Sequence, residues 1–397
     1  MKRILSTLAW LPVWAVLSVG SHKACAQDIE HVLASIEANN IQLQALQKKQ
    51  EADRHQMKRE SNLGETEIEY SPFYTSGVGG MASSELVVSQ GFDFPSLYAA
   101  RRKAQMAAYA QMGCEQLALK QDILLQARLL CLQIIYLRKC MAIEDQRMEA
   151  LSRMEQLFNV KLENGEATII EVNKLKIEKS GLEKTRLQTA SSLQKARHAL
   201  QALNGGKEVA FSRTDYPQQG EMEDDASVLT RYLANDAGLK ATRLSVETAA
   251  EKVKVSKMES LPQLAVGYRR NTELKEVSNG FLVGASIPIF SNRHKTREAR
   301  KRQEAAELDA AEKQSSTQSY VESLLEERNL LRTALATFSM SLTDSTLATL
   351  ATATEEGQIT AIGYCQEAEA LYKSKSDYEE CLYTLQCVEV MLRKSDR

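Results

Sequence analysis

Asn164-Gly165-Glu166-Ala167-Thr168-Ile169-Ile170-Glu171-Val172 interrupts a long helical pattern, and the reading of this stretch decides the fold. Upstream, Leu97 to about Leu162 reads as one helix, and downstream about Ala167 to Leu203 reads as another. Both are rich in Glu, Lys, Arg, Ala, Leu and Gln, and neither contains the proline that would break it. Gly165 lets the chain reverse, because glycine enters the left-handed region without a Cβ penalty. Thr168 stands where a hydroxyl caps the helix that follows. The segment is therefore the tip of an antiparallel helical hairpin.

Working outward, the same unit occurs a second time. Gly357 and Thr360 separate a helical pattern from Asn292 to about Thr354 from another that ends near Lys394. Ser96 recurs as Ser291, Gly165 as Gly357 and Tyr70 as Tyr268, each pair about 195 residues apart and in the same order. Each half reads as helix, two strands, long helix, tip and helix. The expected divisions are 1–26, 27–206, a linker at 207–225 carrying Pro217, Gly220 and an acidic run, and 226–397. The first half opens on a helical stretch at 28–62, the second on one at 226–260.

The long helices carry coiled-coil spacing. Leu130, Ile134, Leu137, Met141, Met148 and Leu151 step by four and three, with Glu144 interrupting and Phe158 and Leu162 continuing. Leu324, Leu331, Leu335, Phe338 and Leu342 repeat the stripe in the second half. Some 60 residues at about 1.5 Å each span roughly 90 Å. Such a rod gains burial only by lying along other rods.

Between these helices lie four short alternating segments, at 63–74, 84–94, 261–271 and 280–290. Phe281, Val283, Ala285, Ile287 and Ile289 share one face of the last. Leu86, Val88, Phe92 and Phe94 share one of the second, with Gln90 as its polar intruder. In the first, Glu65, Glu67 and Glu69 oppose Thr66, Ile68 and Tyr70, and in the third Arg269 opposes Tyr268. Each run is about the length a tilted strand needs to cross a bilayer, with an apolar outer and a polar inner face. Four strands cannot close a barrel with a useful lumen, so several chains must share one.

The N-terminus indicates the compartment. Lys2 and Arg3 precede an apolar run, Ile4 to Val19, and Ala24-Cys25-Ala26 places small residues where a signal peptidase cuts. A signal peptide over 1–26 is expected; His22-Lys23-Ala24 is too polar for a lipid-attachment site at Cys25. With a net charge of −2, nothing argues for nucleic acid as a partner. The remaining cysteines, Cys114, Cys131, Cys140, Cys365, Cys381 and Cys387, lie in helical patterns and read as packing residues, although their even number permits disulfides. No Cys/His cluster suggests a metal, no cofactor motif is present, and the five His are scattered, so no enzyme is expected. Gly77-Val78-Gly79-Gly80 lacks the strand-then-helix setting of a nucleotide loop and reads as a turn between strands.

With these residues in place, the chain resembles the TolC-type outer-membrane efflux protein family over essentially its whole mature length. The resemblance is carried by Leu261-Pro262-Gln263-Leu264-Ala265-Val266-Gly267-Tyr268, by Gly284-Ala285-Ser286-Ile287-Pro288-Ile289-Phe290 and by the tip from Gly165 to Val172, in order and in duplicate. It implies a mainly α fold with a small β part: a long α-helical coiled-coil barrel, and four strands per chain contributed to a shared trimeric transmembrane β-barrel. It further implies a homotrimer in outer-membrane lipid, acting as an exit duct whose tips dock a periplasmic adaptor (membrane fusion protein) linked to an inner-membrane efflux pump. Gly165, Thr168, Glu171 and Val172 match the docking tip; the second tip keeps Gly357 and Thr360 but has Gly363 where an acid would align. The rival readings are an adaptor, or a periplasmic coiled coil without its own barrel.

Charge adds three expectations. Glu65, Glu67 and Glu69, with Arg269, would line the barrel lumen, either as a cation filter or simply as a polar face. Glu163, Glu166, Glu355 and Glu356 flank the tips, as gate charges or as solvated helix ends. Arg101, Arg102 and Lys103, then Arg293, Lys295 and Arg297, begin the long helices against the helix dipole, which calls for a compensating partner. Lipid headgroups just below the barrel are the expected one.

Overall fold

The computed structural model describes residues 28–60, 62–77, 79–217, 223–273, 276–288 and 294–396. The expected signal peptide, Ser291 and Arg293 lie outside the described residues. The chain runs through α1 (Ile29–Asn39), α2 (Ile41–Glu60), β1 (Thr66–Phe73), β2 (Ser83–Phe92), α3 (Pro95–Glu163) and α4 (Ile169–Leu203). It continues through α5 (Asp225–Asn235), α6 (Ala237–Met258), β3 (Gln263–Glu273), β4 (Glu276–Ser286), α7 (Lys295–Thr337), α8 (Met340–Glu355) and α9 (Ala361–Leu392). It is a mainly α protein with one small sheet, as its sequence leads one to expect.

Three stretches that read as single helices are each divided. Asn40 separates α1 from α2 in extended conformation; its Oδ1 accepts from the Leu43 N–H (3.0 Å) and its Nδ2 donates to the Leu203 carbonyl (2.9 Å). Asp236 does the same between α5 and α6, accepting from the Leu239 N–H at 2.7 Å. An Asx side chain at each break offers the backbone a cap in place of a continuing helix. The third break, at Phe338-Ser339, lies in a run of Ser and Thr whose hydroxyls bond back to the main chain, Thr333 to Asn329 and Thr337 to Ala334. Phe338 packs edge-on against Tyr378, 5.8 Å between centroids. The break shifts the seam: Leu342 is exposed, and Thr343, Leu350 and Thr354 are buried in its place.

Helix α3 is the spine. Its first part lies along α6 and its second along α4 and α9, while α7 lies against α6 and α9. Three apolar clusters are strung along this rod. One joins α1, α3 and the end of α4, with Phe211 of the linker and Cys387 of α9. That linker is strapped down: Arg138 donates to the carbonyls of Phe211 (2.6 Å) and Arg213 (2.7 Å). A second cluster joins α3, α4, α8 and α9 near the tips, and a third joins α5, α7 and α9. The six cysteines among the described residues are free, and burial pushes the Cys131 thiol up to about 12. No helix among the described residues is long and apolar enough to cross a membrane.

At one end of the rod stands a four-stranded antiparallel sheet in the order β1-β2-β3-β4. Its final strand begins at Glu276, four residues before the alternation suggested. Gly267 is required in β3, since a Cβ there would stand 2.6 Å from the Val88 carbonyl oxygen.

Candidate functional site

The sheet register decides what each face presents. Ile68, Val88, Tyr268 and Phe281 lie in one transverse row, and Val266 and Val283 pair beside it. On this face Ile68 is 71% exposed, Val283 84% and Phe281 93%. No helix covers it. The apolar surface left in the open crosses all four strands, with Arg270 and Asn279 on the same face one row further along, and scattered surface residues do not account for it.

Glu67, Glu69, Glu85 and Arg269 occupy the other face, with Gly267, Gly280 and Gly284. Glu65 precedes β1 by one residue and is exposed. Arg269 is not an isolated cation: its Nε lies 2.7 Å from a carboxylate oxygen of Glu85 on β2. Glu85 was missed in the sequence, although the alternation of Leu86 and Val88 is the signal that could have put it on the polar face; its partnership with a residue on β3 needed the register.

The tips form the other end. Both use the same turn. The Glu166 N–H bonds the Lys161 carbonyl (2.7 Å) and the Gly165 N–H that of Leu162 (3.1 Å); Gln358 to Ala353 (2.9 Å) and Gly357 to Thr354 (3.1 Å) repeat it. Gly165 and Gly357 have φ of 78° and 81°, which explains the glycine at each. Thr168 and Glu171 form a reciprocal capping box on α4: the Glu171 N–H donates to the Thr168 hydroxyl (3.4 Å), and the Thr168 N–H donates to the Glu171 carboxylate (2.9 Å). That backbone bond, above all, holds the Glu171 carboxyl below its ordinary range. Thr360 caps α9 by accepting from the Gly363 N–H at 3.1 Å.

The candidate docking residues separate here. Val172 has no exposed surface and packs with Leu175, Ala361 and Tyr364. Its place is in the core, which corrects its assignment to a contact surface. The exposed apolar residues of this tip are its neighbours Ile169 and Ile170, which periodicity alone did not distinguish. Glu163, Glu166, Glu355 and Glu356 are exposed around the two turns.

The basic residues below the sheet are only partly free. Arg101 pairs with Asp93 (2.6 Å) and reaches Glu259 (4.0 Å), and Lys295 joins the same Glu259 at 3.2 Å. The compensating partners of these two are thus carboxylates of the chain itself, which corrects the expectation of headgroups for them. Arg102, Lys103 and Arg297 are exposed.

Comparison with known proteins places this geometry. No family model and no curated protein matches the sequence. Solved structures do match in shape. A membrane protein from Pseudomonas aeruginosa superposes with a TM-score of 0.78 at 15% identity, over 92% of this chain and 93% of that one. The outer-membrane channel OprN gives 0.77 at 13% identity, over 92% and 89%. The outer membrane protein VceC from Vibrio cholerae gives 0.74 at 15%, over 92% and 94%.

Proposed function

We propose that this chain, which has the fold of those outer-membrane channels, is itself an outer-membrane efflux duct: a homotrimer spanning the outer membrane with its sheet and the periplasm with its helices. The observation that carries the reading is the uncovered apolar sheet face with two open edges. Eleven residues of β3 at about 3.3 Å each, tilted by about 45°, cover roughly 25 Å, the height of the apolar band of a membrane barrel. In hydrocarbon an unpaired strand edge costs several kcal/mol per orphaned group. Strand directions alternate from β1 to β4, so β4 of one copy beside β1 of the next continues the antiparallel ladder and leaves no edge. Three copies would give a single barrel of twelve strands.

In that arrangement Glu65, Glu67, Glu69, Glu85 and Arg269 face the lumen, and the acidic excess favours cations. The exposed Arg102, Lys103 and Arg297 fall just beyond the sheet, at the depth of the headgroups. The tips, with Ile169 and Ile170, meet a periplasmic adaptor coupled to an inner-membrane pump, and Glu163, Glu166, Glu355 and Glu356 surround the entrance. Such a protein is a conduit with no reaction to catalyse. A periplasmic adaptor or coiled coil without a barrel leaves the sheet face in water, where it has no reason to be apolar.

Reconstitution into planar bilayers tests the duct. The expected result is a stable ion conductance with potassium preferred over chloride. Protein that is folded, trimeric and silent in every bilayer contradicts the proposal.

A further inference from the structure

Beneath the sheet the helices keep the order of the strands. α2 runs into β1, β2 into α3, α6 into β3 and β4 into α7. α2 lies against α3, α3 against α6 and α6 against α7. α2 and α7 therefore stand at the two ends of this row, beneath the edge strands β1 and β4.

Both end helices are basic where they approach the sheet. Lys58 and Arg59 lie in the last turn of α2, with Arg54 one turn before them, and Arg297 and Arg300 lie in the first two turns of α7. At about 1.5 Å per residue, all fall within about 10 Å of the helix ends nearest the sheet. Arg54 and Lys58, at i and i+4, share one face of α2, and Arg297 and Arg300, at i and i+3, share one of α7. All of them are exposed, and none is ion-paired among the described residues. The acids close by are engaged elsewhere: Glu298 with Arg302 (2.6 Å), Glu304 with Lys301 (2.5 Å) and Glu259 with Lys295 (3.2 Å). Asp53 lines the cleft that α2 forms with α3 and α6, alongside Arg101 and Lys252. In a chain with a net charge of −2, this is segregated positive charge.

Closing the sheet brings the two basic ends together. With β4 of one copy beside β1 of the next, α7 of the first meets α2 of the second directly below. Arg297 and Arg300 then face Arg54, Lys58 and Arg59 of the next copy, and the positive end of α7 adds to the repulsion. The hydrocarbon core of a bilayer is about 30 Å thick and the whole bilayer about 40–45 Å, so each headgroup layer is roughly 5–8 Å deep. The cations occupy that depth.

We propose that each seam between copies, α7 of one against α2 of the next, binds an anionic glycerophospholipid of the periplasm-facing leaflet, whose phosphate bridges the basic residues of the two helices. The site rests on the duct reading above and makes the lipid part of what holds the copies together. Guanidinium groups take phosphate oxygens in pairs, and a zwitterionic headgroup, which carries its own cation, relieves the repulsion less.

The test is the rate at which the full-length trimer dissociates on warming, read on unboiled gels after reconstitution into vesicles of phosphatidylcholine, with or without about one third phosphatidylglycerol. The wild type is expected to dissociate about tenfold more slowly with phosphatidylglycerol. The combined variant Lys58→Gln, Arg59→Gln, Arg297→Gln and Arg300→Gln should dissociate at one rate in both vesicles, no faster than the wild type in phosphatidylcholine, whereas Lys58→Arg alone should keep the lipid preference. Equal rates for the wild type in the two vesicles, or a preference that survives in the combined variant, would overturn the proposal. Inorganic phosphate that protects the trimer as well in phosphatidylcholine would assign the seam to a free anion and overturn the lipid. Absence of a trimer in every vesicle refutes the duct and the seam with it; a stable trimer indifferent to phosphatidylglycerol leaves the duct standing and refutes the seam alone.

Discussion

At Glu171 one carboxylate closes the cap of α4, and its titration gives a test at the scale of a residue. The Thr168 backbone N–H, with further help from the Thr168 hydroxyl, Ala361 and Lys161, holds its carboxyl below the ordinary range despite some burial. A depressed carboxyl adds stability that is complete above its unfolded value of about 4.3 and is lost as the pH falls through the lower folded value. Amide protection at the start of α4 should therefore hold from neutral pH to about 5 and decline below about 4, whereas Glu171→Gln should show a flat profile. Identical profiles for wild type and variant would remove the carboxylate from the tip's stability. Gly165 and Thr168 were legible in the sequence because reversal and capping are local chemistry. The burial of Val172 was not, since it depends on the second hairpin.

Among the elements, the strands were the more legible. A period of two assigns each side chain to a face before any pairing is known, and the register agrees for Phe281, Val283, Glu67 and Arg269. Helix breaks were less so. Asn40 and Asp236 are ordinary in a polar helix until they become caps, and the break after Thr337 carries neither glycine nor proline. Arg101 and Lys295 looked like free charge because their partners stand outside their own helices, Asp93 in the link before α3 and Glu259 at the end of α6. The sheet supplies its own prediction. Arg269→Gln removes the cation held by Glu85 and should raise the potassium-over-chloride permeability ratio roughly two- to threefold. An unchanged ratio would place this face away from the ion path.

Over the whole molecule, the decisive signal was duplication. Two hairpins with tips at Gly165 and Gly357, each joined to a pair of strands, leave little choice but a rod bearing a sheet. One chain does not complete that design: the rod has no globular core and the sheet has two open edges. In the proposed duct both deficits are met by other copies, and the number of copies is the part that periodicity cannot supply, because no residue of one chain records how many neighbours close the ring. The central claim is thus the shared barrel. Its most direct test is the migration of the protein from purified outer membranes, unboiled against boiled, with cross-linking to count subunits. The account predicts a heat-modifiable trimer that collapses to the monomer on boiling. A monomer or dimer recovered from the periplasmic fraction, unchanged by boiling, would contradict it.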